Sequence, residues 1–132
     1  MKNRLKKEER IYKKEEIDIF FKSGMHFTEF PFRIIYYTLP VEPSDDISLK
    51  IAVSVPKKRF KKAVDRNLLK RRIKEAYRLN NHELKEVLKN TPHQLHILFI
   101  YTSPESMKYK LIESKIILIL QSMQGIYAKN SQ

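Results

Sequence analysis

The segment KKRFKKAVDRNLLKRRIKEAYR, residues 57–78, decides most of what can be predicted about the fold of this chain. From Ala63 onward it consists of residues that favour helices, with no Gly, no Pro and no run of β-branched side chains. Directly before it, Val55 and Pro56 end an alternating segment that predicts a strand. The chain therefore passes from a strand, through a basic turn at Lys57 to Lys62, into a long helix.

The same segment carries most of the positive charge. It holds eleven of the 27 Lys and Arg residues and only two acids, so it contributes nine of the twelve net positive charges. On a helix that advances by roughly 100° per residue, six polar residues fall within an arc of about 140°, and Leu69, Ile73 and Ala76 occupy the other side. The six are Arg66, Asn67, Lys70, Arg71, Lys74 and Arg78. Such a helix packs by its apolar face and presents a cationic strip that favours phosphate binding.

Arg72 is the one cation of this helix that lies beside the apolar arc. It either extends its guanidinium group to water or pairs with Asp65 or Glu75. Charged helix faces are often only solvated, but such faces usually mix the two signs, and this strip is almost wholly positive. The charge pattern therefore predicts a nucleic-acid-binding surface.

The composition bounds the class of protein. A chain of 132 residues is one domain with room for a real core. The absence of Cys and of an apolar N-terminal signal predicts a cytoplasmic location. The longest apolar run, residues 116–120, is far shorter than the roughly 20 residues of a membrane span, so we expect no membrane partner. With two Gly residues there is no glycine-rich phosphate loop, and phosphate binding falls to side chains.

Helices are predicted near both ends of the chain. Near the N-terminus, three apolar residues share one helical face and are followed by a glycine that can end the helix: Ile17, Phe20, Phe21 and Gly24. Ser-Pro at residues 103–104 is a typical helix start, with Ser as N-cap and Pro in the first turn. We expect the helix that follows to end at Gly125.

Strands are predicted between these helices. Phe30 to Leu39 is rich in aromatic and β-branched residues, and in Ile47 to Val55 large apolar residues alternate strictly with Ser, Lys and Ala. We expect these two strands to pair antiparallel across the polar loop Pro40 to Asp46. A linker at Asn80 to His93, whose first part can prolong the basic helix, leads to a strand at Leu95 to Tyr101.

Together these elements predict an α+β fold, a single-domain α-β sandwich. The expected order is α-β-β-(β)-α-β-α, with the bracketed strand left open, and the sheet packs against helices and leaves a cleft free. Residues 1–9 predict a basic, flexible extension, residues 10–127 a single RNA-binding domain, and residues 128–132 a C-terminal tail.

One face of the first strand is a candidate surface for single-stranded RNA. Strand alternation places Phe32, Ile34 and Tyr36 on one side and Arg33, Ile35 and Tyr37 on the other. The second set, with a cation and an aromatic ring, is the set that we expect to face water. Single-stranded RNA binds such surfaces by stacking its bases on aromatic rings beside cations.

The segment AVDRNLLKRRIKEAYR, residues 63–78, resembles the signature helix of the protein subunit of bacterial ribonuclease P, which carries an Arg-Asn-Arg core. Leu68 stands where the family motif usually has its second Arg, and Arg72 can restore that charge from another angle. The resemblance covers roughly Arg10 to Met123. Its flanking parts are Arg10-Ile11, Ile17 to Gly24, Phe32 to Leu39, Ser54-Val55 and Lys57-Lys58.

The resemblance implies a small α+β sandwich that joins a large catalytic RNA and helps it to remove the 5′ leader from precursor tRNA. It implies that the phosphodiester bond is hydrolysed by Mg²⁺ ions held mainly by the RNA subunit, and that the protein supplies no catalytic side chain and no metal site of its own. The implied partners are the catalytic RNA subunit and precursor tRNA, and we expect the protein itself to be monomeric.

The resemblance also implies roles for matching residues. Those implied to contact the catalytic RNA are Arg66, Asn67, Lys70, Arg71 and Lys74. The charge pattern adds Lys57, Lys58, Lys62 and Arg78 to this set. The groove for the single-stranded leader is implied to contain Ile17, Phe21 and Tyr37, and Arg33 is a candidate for its basic edge.

Two other classes of function were weighed. A metal-dependent nuclease needs carboxylates that converge on cations, whereas the acids here are scattered and Asp45-Asp46 is typical of a turn. The four His residues show neither metal-ligand spacing nor a paired nucleophile. A structural RNA-binding protein, such as a ribosomal protein, remains the alternative, since it also needs a cationic strip. It differs in needing no separate apolar and aromatic groove.

Overall fold

The computed structural model of the protein describes residues 9–41 and 47–130. Within these ranges four strands form one mixed sheet. They are β1 (Met25–Glu29), β2 (Phe32–Pro40), β3 (Leu49–Ser54) and β4 (His93–Tyr101). Their spatial order is β1-β2-β4-β3, and the pairs β1-β2 and β2-β4 are antiparallel whereas β3 is parallel to β4.

Four helices in the described residues cover the two faces of this sheet. They are α1 (Lys14–Ser23), α2 (Ala63–Asn80), α3 (His82–Lys89) and α4 (Tyr109–Asn130). Helices α2, α3 and α4 share a core with one face of the sheet, and α1 packs on the opposite face. The observed order, α-β-β-β-α-α-β-α, confirms the α+β class. Three strands precede α2, the number that the prediction allowed, but the additional strand is β1, which comes before the two predicted strands rather than after them.

The larger core lies between the sheet and helices α2, α3 and α4. Ile34, Ile97 and Phe99 point into it from neighbouring strands, and Leu69 and Ile73 meet them from α2. All five are fully buried, and burying a side chain of this size contributes about 1.5–3 kcal/mol. The apolar arc predicted for the basic helix is therefore confirmed, and this packing turns the cationic arc of α2 away from the sheet.

A smaller core lies on the other face of the sheet, under α1. Phe20 is fully buried there and its ring centroid lies 4.9 Å from that of Tyr37. Ile35 is also fully buried and Tyr37 is 8% exposed, whereas Arg33 is exposed. The faces of β2 are as predicted, but the expectation that this face is open to water is wrong for Ile35 and Tyr37, because α1 lies across them.

The predicted pairing of the two strands that flank residues 40–46 is wrong. β4 lies between β2 and β3 and hydrogen-bonds to both. β4 is almost continuously buried, as expected of a strand in the middle of a sheet that is covered on both faces. The link from β3 to β4 contains α2 and α3, as a parallel pair requires. Residues 42–46 of the predicted loop lie outside the described residues.

Two helix boundaries also differ from the prediction. Part of the predicted linker forms α3, which buries Leu84 and Leu88 at a spacing of one helical turn. α4 begins at Tyr109 rather than at Ser103, because the hydroxyl of Tyr101 donates a hydrogen bond to the Glu105 carbonyl (2.5 Å) and accepts one from the Met107 N–H (3.1 Å). These bonds hold residues 103–108 in a loop.

Gly125 does not end α4, which continues to Asn130. Buried Met123 and Tyr127 lie on either side of Gly125 and keep the helix against the core. The predicted C-terminal tail at residues 128–132 therefore begins inside this helix, and residues 131–132 lie outside the described residues.

Gly24 ends α1 as predicted, and its N–H donates to the Phe20 carbonyl over 2.9 Å. Its φ of −76° is open to any residue, so the requirement for glycine is one of space. A Cβ atom at this position would overlap Cγ2 of Ile35 and lie against the Phe20 carbonyl oxygen. Of the predicted flexible extension, residues 1–8 lie outside the described residues, and Glu9 is buried and belongs to the fold.

Candidate nucleic-acid interface

The basic turn between β3 and α2 is anchored by its only aromatic residue. Phe60 is buried in the larger core, with its ring centroid 5.9 Å from that of Tyr101. The Pro56 carbonyl accepts hydrogen bonds from the N–H groups of Arg59 (3.2 Å) and Phe60 (3.3 Å). The five cations of the turn are all exposed: Lys57, Lys58, Arg59, Lys61 and Lys62. The three that were predicted to bind RNA, Lys57, Lys58 and Lys62, are thus held on a fixed turn with their side chains in solvent.

Arg66 joins this turn to α2. Its Nη1 donates to the carbonyls of Phe60 (2.7 Å) and Lys61 (2.9 Å), and its side chain is half-buried. A guanidinium group has five donors, so the remaining N–H groups are available to an anion. Arg66 therefore supports the shape of the basic turn as well as adding charge to the strip.

The other members of the predicted strip differ in their exposure to solvent and in whether an acid already pairs with them. Asn67 and Arg71 are exposed, and Lys70 and Lys74 are half-buried. Arg78 makes a two-point contact with Glu75, at 2.9 and 2.8 Å, and this hydrogen-bonded pairing holds the pKa of Glu75 below its ordinary value. Arg78 is thus the strip residue whose charge is already partly neutralised.

Arg72 adopts neither of the two predicted arrangements. Its Nη1 donates to the carbonyl of Met107 (2.7 Å) and to Oγ of Ser106 (3.4 Å) in the loop before α4. Arg72 therefore connects α2 to residues 103–108. That its charge replaces the cation missing at Leu68 stays a prediction. Leu68 is itself exposed.

A cleft of about 560 Å³ opens beside the strip. One wall is the segment of residues 10–12, which precedes α1, and the opposite wall is α2. Its lining residues are Arg10, Ile11, Tyr12, Ile17, Ile51, Ala52, Val53, Lys70 and Lys74. The structure thus brings together Ile17, which was predicted for the leader groove, and two lysines that were predicted for the RNA-binding strip.

The cations of this cleft repel one another. Burial lowers the pKa of Lys74, and the neighbouring charges of Arg10 and Lys70 lower it further. Such a shift means that the three charges are close and only partly solvated. A phosphate group placed among them would relieve this repulsion, so the cleft combines an apolar wall with a site suited to an anion.

The other predicted leader residues lie outside the lining of this cleft. Phe21 is 54% exposed on α1, because the neighbouring Phe20 is the ring that packs into the core. Arg33 is exposed on β2, and its Nη2 contacts Nδ1 of His26 at 3.0 Å. Tyr37 is buried under Phe20. A groove made jointly by Ile17, Phe21, Arg33 and Tyr37 stays a prediction, and in this conformation Tyr37 presents little surface for stacking.

Tyr37 belongs to a buried chain of hydrogen bonds that the sequence did not reveal. Gln94 Nε2 donates to the Ile47 carbonyl (2.6 Å), so its Oε1 faces His96 Nε2 (2.7 Å). His96 Nε2 therefore carries the proton, and Nδ1 accepts from the Tyr37 hydroxyl at 2.9 Å. Burial raises the pKa of Tyr37, and Glu16 adds to the rise. His96 lies inside β4, so these hydrogen bonds stabilise the face of the sheet on which α1 packs.

Sequence reasoning missed most of the residues that line the cleft. Arg10 and Ile11 entered only as part of the family resemblance, and Tyr12 did not enter at all. The available signal was the apolar Ile11 between polar neighbours, which is typical of a short extended segment. The structure shows that segment beside β3, where the Ile11 N–H donates to the Ile51 carbonyl over 2.7 Å.

Neither a candidate metal site nor a membrane-spanning helix is found in the part of the chain that the structure describes. No group of three or more His, Cys, Asp or Glu side chains there could hold a metal ion. Nor is any helix in those ranges long and apolar enough to cross a membrane.

Comparison with known proteins identifies the family. A family model described as Ribonuclease P matches residues 5–124. The chain belongs to the ribonuclease P protein family. The ribonuclease P protein component of Porphyromonas gingivalis is 40% identical over 109 residues, which cover 83% of this chain and 78% of that protein. The component from Shouchella clausii is 31% identical over 112 residues, covering 85% and 83% of the two chains.

Solved structures of ribonuclease P proteins share the fold. The protein from Thermotoga maritima has a TM-score of 0.65 at 24% identity and covers 86% of this chain and 96% of its own. A mutant of the Staphylococcus aureus protein has a TM-score of 0.64 at 21% identity, covering 88% of each chain. The predicted function, a protein component of ribonuclease P in tRNA 5′-end maturation, is confirmed by the family match. The alternative of a ribosomal-type structural protein is not favoured.

Proposed function

We propose that this ribonuclease P protein binds the catalytic RNA through α2 and the basic turn, and binds the 5′ leader of precursor tRNA in the cleft between α2 and residues 10–12. The observation that carries the proposal is the meeting of Lys70 and Lys74 with Ile17 and Tyr12 around one cleft. A purely structural RNA-binding protein needs the strip alone. The cleft adds to the strip an apolar and aromatic groove of the kind that a leader requires.

The exposed part of the strip supports the contact with the catalytic RNA. Asn67 and Arg71 face solvent on α2, next to the exposed cations of the basic turn. Within the described residues, neither Arg71 nor any lysine of the basic turn forms an ion pair with an acidic side chain. Their charges are thus available to RNA phosphates, and each phosphate contact contributes roughly 0.7 to 0.9 to the log–log salt slope of binding.

The cleft supports contact with a single strand. Its apolar wall includes the half-buried side chains of Ile17 and Val53, which suit the faces of unpaired bases, and Tyr12 at its rim is 64% exposed and open to stacking. Lys70, Lys74 and Arg10 suit the backbone phosphates. A duplex exposes its phosphates but keeps its bases stacked inside, so this combination favours an unpaired leader over a helix.

The chemistry belongs to the RNA subunit in this proposal. That subunit would hold the Mg²⁺ ions that activate water at the scissile phosphate. The protein, as a monomer, would position the substrate by holding the leader, which increases affinity for the precursor over the mature tRNA. The cytoplasmic location predicted from composition fits this role and stays a prediction.

The test uses the protein reconstituted with a bacterial ribonuclease P RNA. Lys74→Ala should weaken binding of leader-bearing precursor tRNA by about tenfold, since a charge-assisted contact contributes about 1.5–3 kcal/mol, and should leave binding of leaderless tRNA unchanged. Lys110→Ala, which removes an exposed lysine from α4, is the matched control and should change neither.

Two results would count against this assignment. If Lys74→Ala weakened leader-bearing and leaderless tRNA equally, the cleft would not be the leader site. If the protein gave no gain in precursor cleavage at low Mg²⁺ with the RNA, the proposed role as a whole would fail.

A further inference from the structure

One wall of the cleft is a short segment that is attached at only a few points. Residues 9–12 precede α1, and in the described structure they join the sheet through a single bridge between Arg10 and Ile51. The Ile11 N–H donates to the Ile51 carbonyl, and the Ile11 side chain is buried against the smaller core. Beyond these contacts, the segment is held by a side-chain ion pair that crosses to a different part of the molecule.

That ion pair joins Glu9 to Lys85 on α3. Lys85 Nζ donates to Glu9 Oε2 at 2.6 Å, and the Glu9 side chain is 10% exposed. By contrast, the ion pair of Glu86 with Lys89, at 3.1 Å, has both side chains more than half exposed. A carboxylate as buried as that of Glu9 needs its partner, since an unpaired buried charge is strongly unfavourable.

Glu9 points into the protein rather than along its surface. Burial raises the pKa of Tyr77, which lies in the larger core, and the negative charge of Glu9 adds to the rise. The carboxylate therefore sits close to the end of α2. The ion pair fixes the start of the N-terminal segment between α2 and α3, directly before Arg10.

Arg10 needs to be held, because its neighbours in the cleft repel it. Its charge acts on Lys74 together with that of Lys70, and all three line the same cleft. Arg10 is already exposed, so its side chain would relieve this repulsion by moving further from the two lysines. The Glu9 anchor opposes that movement by holding the adjacent residue.

We propose that Glu9 and Lys85 are positioning residues for the RNA leader: their ion pair holds Arg10 in the cleft, where it binds one leader phosphate together with Lys70 and Lys74. This proposal rests on the proposed function of the cleft. Neither Glu9 nor Lys85 touches RNA in it, and both act through Arg10.

The test compares two substitutions that each remove a carboxylate beside α3. Glu9→Gln in the reconstituted holoenzyme should weaken binding of leader-bearing precursor tRNA by about tenfold, the effect of losing one charge-assisted contact, and should leave leaderless tRNA unaffected. Glu86→Gln removes the acid of the exposed pair on α3 and should change neither affinity. In the free protein, trypsin should cut after Arg10 faster in the Glu9→Gln variant than in the Glu86→Gln variant.

Two further variants separate positioning from loss of folding. The charge-reversed double variant Glu9→Lys with Lys85→Glu should restore leader-dependent affinity to within about threefold of the original, because the pair is rebuilt. Adding Arg10→Ala to Glu9→Gln should weaken leader binding no more than Arg10→Ala alone. Additive losses, or equal loss for leader-bearing and leaderless tRNA, would overturn the positioning role.

The outcome also separates this inference from the function on which it rests. If Lys74→Ala and Arg10→Ala both reduce leader-dependent affinity while Glu9→Gln does not, the cleft is the leader site and the positioning role is wrong. If none of the three changes leader-dependent affinity, the assignment of the cleft is wrong and the positioning role falls with it.

Discussion

Replacing Arg66 by Ala should weaken binding of the catalytic RNA by more than the loss of one cation. The side chain of Arg66 holds the carbonyls of Phe60 and Lys61 at 2.7 and 2.9 Å, and these residues belong to the turn that presents five exposed cations. Removing it leaves three kinds of described contact to hold the turn: the buried Phe60 ring, the bonds to the Pro56 carbonyl and the two backbone N–H bonds to the Lys62 carbonyl. We therefore expect the turn to become mobile and its cations to lose their fixed positions.

The size of the effect follows from these contacts. A hydrogen bond from a charged donor contributes about 1.5–3 kcal/mol. The Arg66 side chain is only half-buried and its bond to the Lys61 carbonyl is exposed, so solvent weakens the contribution. We therefore expect Arg66→Ala to cost the turn about 1.4 kcal/mol of local stability. That corresponds to about tenfold faster amide exchange of Arg59 and Phe60. Losing Arg66 and one turn cation as phosphate contacts should reduce the log–log salt slope by about 1.4 to 1.8.

The assay is a salt titration of RNA-subunit binding, paired with hydrogen exchange of the free protein. Arg71→Ala is the matched control, because Arg71 is exposed on the same helix and should remove one contact, about 0.7 to 0.9 in slope, without changing exchange in the turn. If Arg66→Ala and Arg71→Ala gave the same slope change and the same exchange rates, the supporting role of Arg66 would be refuted.

Two predictions concern the stability of the free protein. Gly125→Ala should raise the free energy of unfolding by about 1 kcal/mol, or Tm by about 4 °C, because a Cβ atom at this exposed position inside α4 meets no atom within 4 Å. Gly24→Ala should lower Tm instead, because its Cβ atom would overlap the Ile35 side chain. A lower Tm for both variants would contradict the reasoning. Burial raises the pKa of Tyr127 to about 12. Its neutral form is therefore favoured in the folded protein, so the associated stability is present below pH 10 and is lost as pH rises towards 12. Tyr127→Phe should flatten that loss in alkaline urea denaturation, and an unchanged pH profile would exclude the effect.

The parts of the fold that could be predicted are those set by local pattern. The basic helix follows from its composition, and the burial of Leu69, Ile73 and Ala76 follows from helical spacing. The faces of β2 follow from strand alternation. In each case the information lies within one element, so a single sequence is enough.

The errors arise where two distant elements decide the outcome. Phe20 and Phe21 are adjacent in sequence, and only the docking of α1 on Ile35 and Tyr37 makes the first a core residue and the second an exposed ring. Arg72 has two plausible acids nearby but binds the carbonyl of Met107, which is 35 residues away. The Ser103 start signal is overridden by the Tyr101 hydroxyl.

The cleft was hardest to predict for the same reason. Its walls come from residues 10–12, from α1, from β3 and from α2, and no spacing rule connects these four segments. Strip residues such as Lys70 could be identified by periodicity, but their neighbours across the cleft could not. Glu9 and Lys85 are 76 residues apart, so no local sequence pattern predicts their ion pair.

The position of β4 in the sheet has a consequence for how the protein is made. β2 and β3 do not pair with each other, and the strand that joins them comes only at residues 93–101, after the whole of α2 and α3. During synthesis, the basic helix α2 therefore leaves the ribosome before the central strand of the sheet beneath it. Until β4 follows, this strongly basic segment lacks the strand that carries the core beneath it, so a nascent chain at that stage should bind polyanions without the native packing of α2.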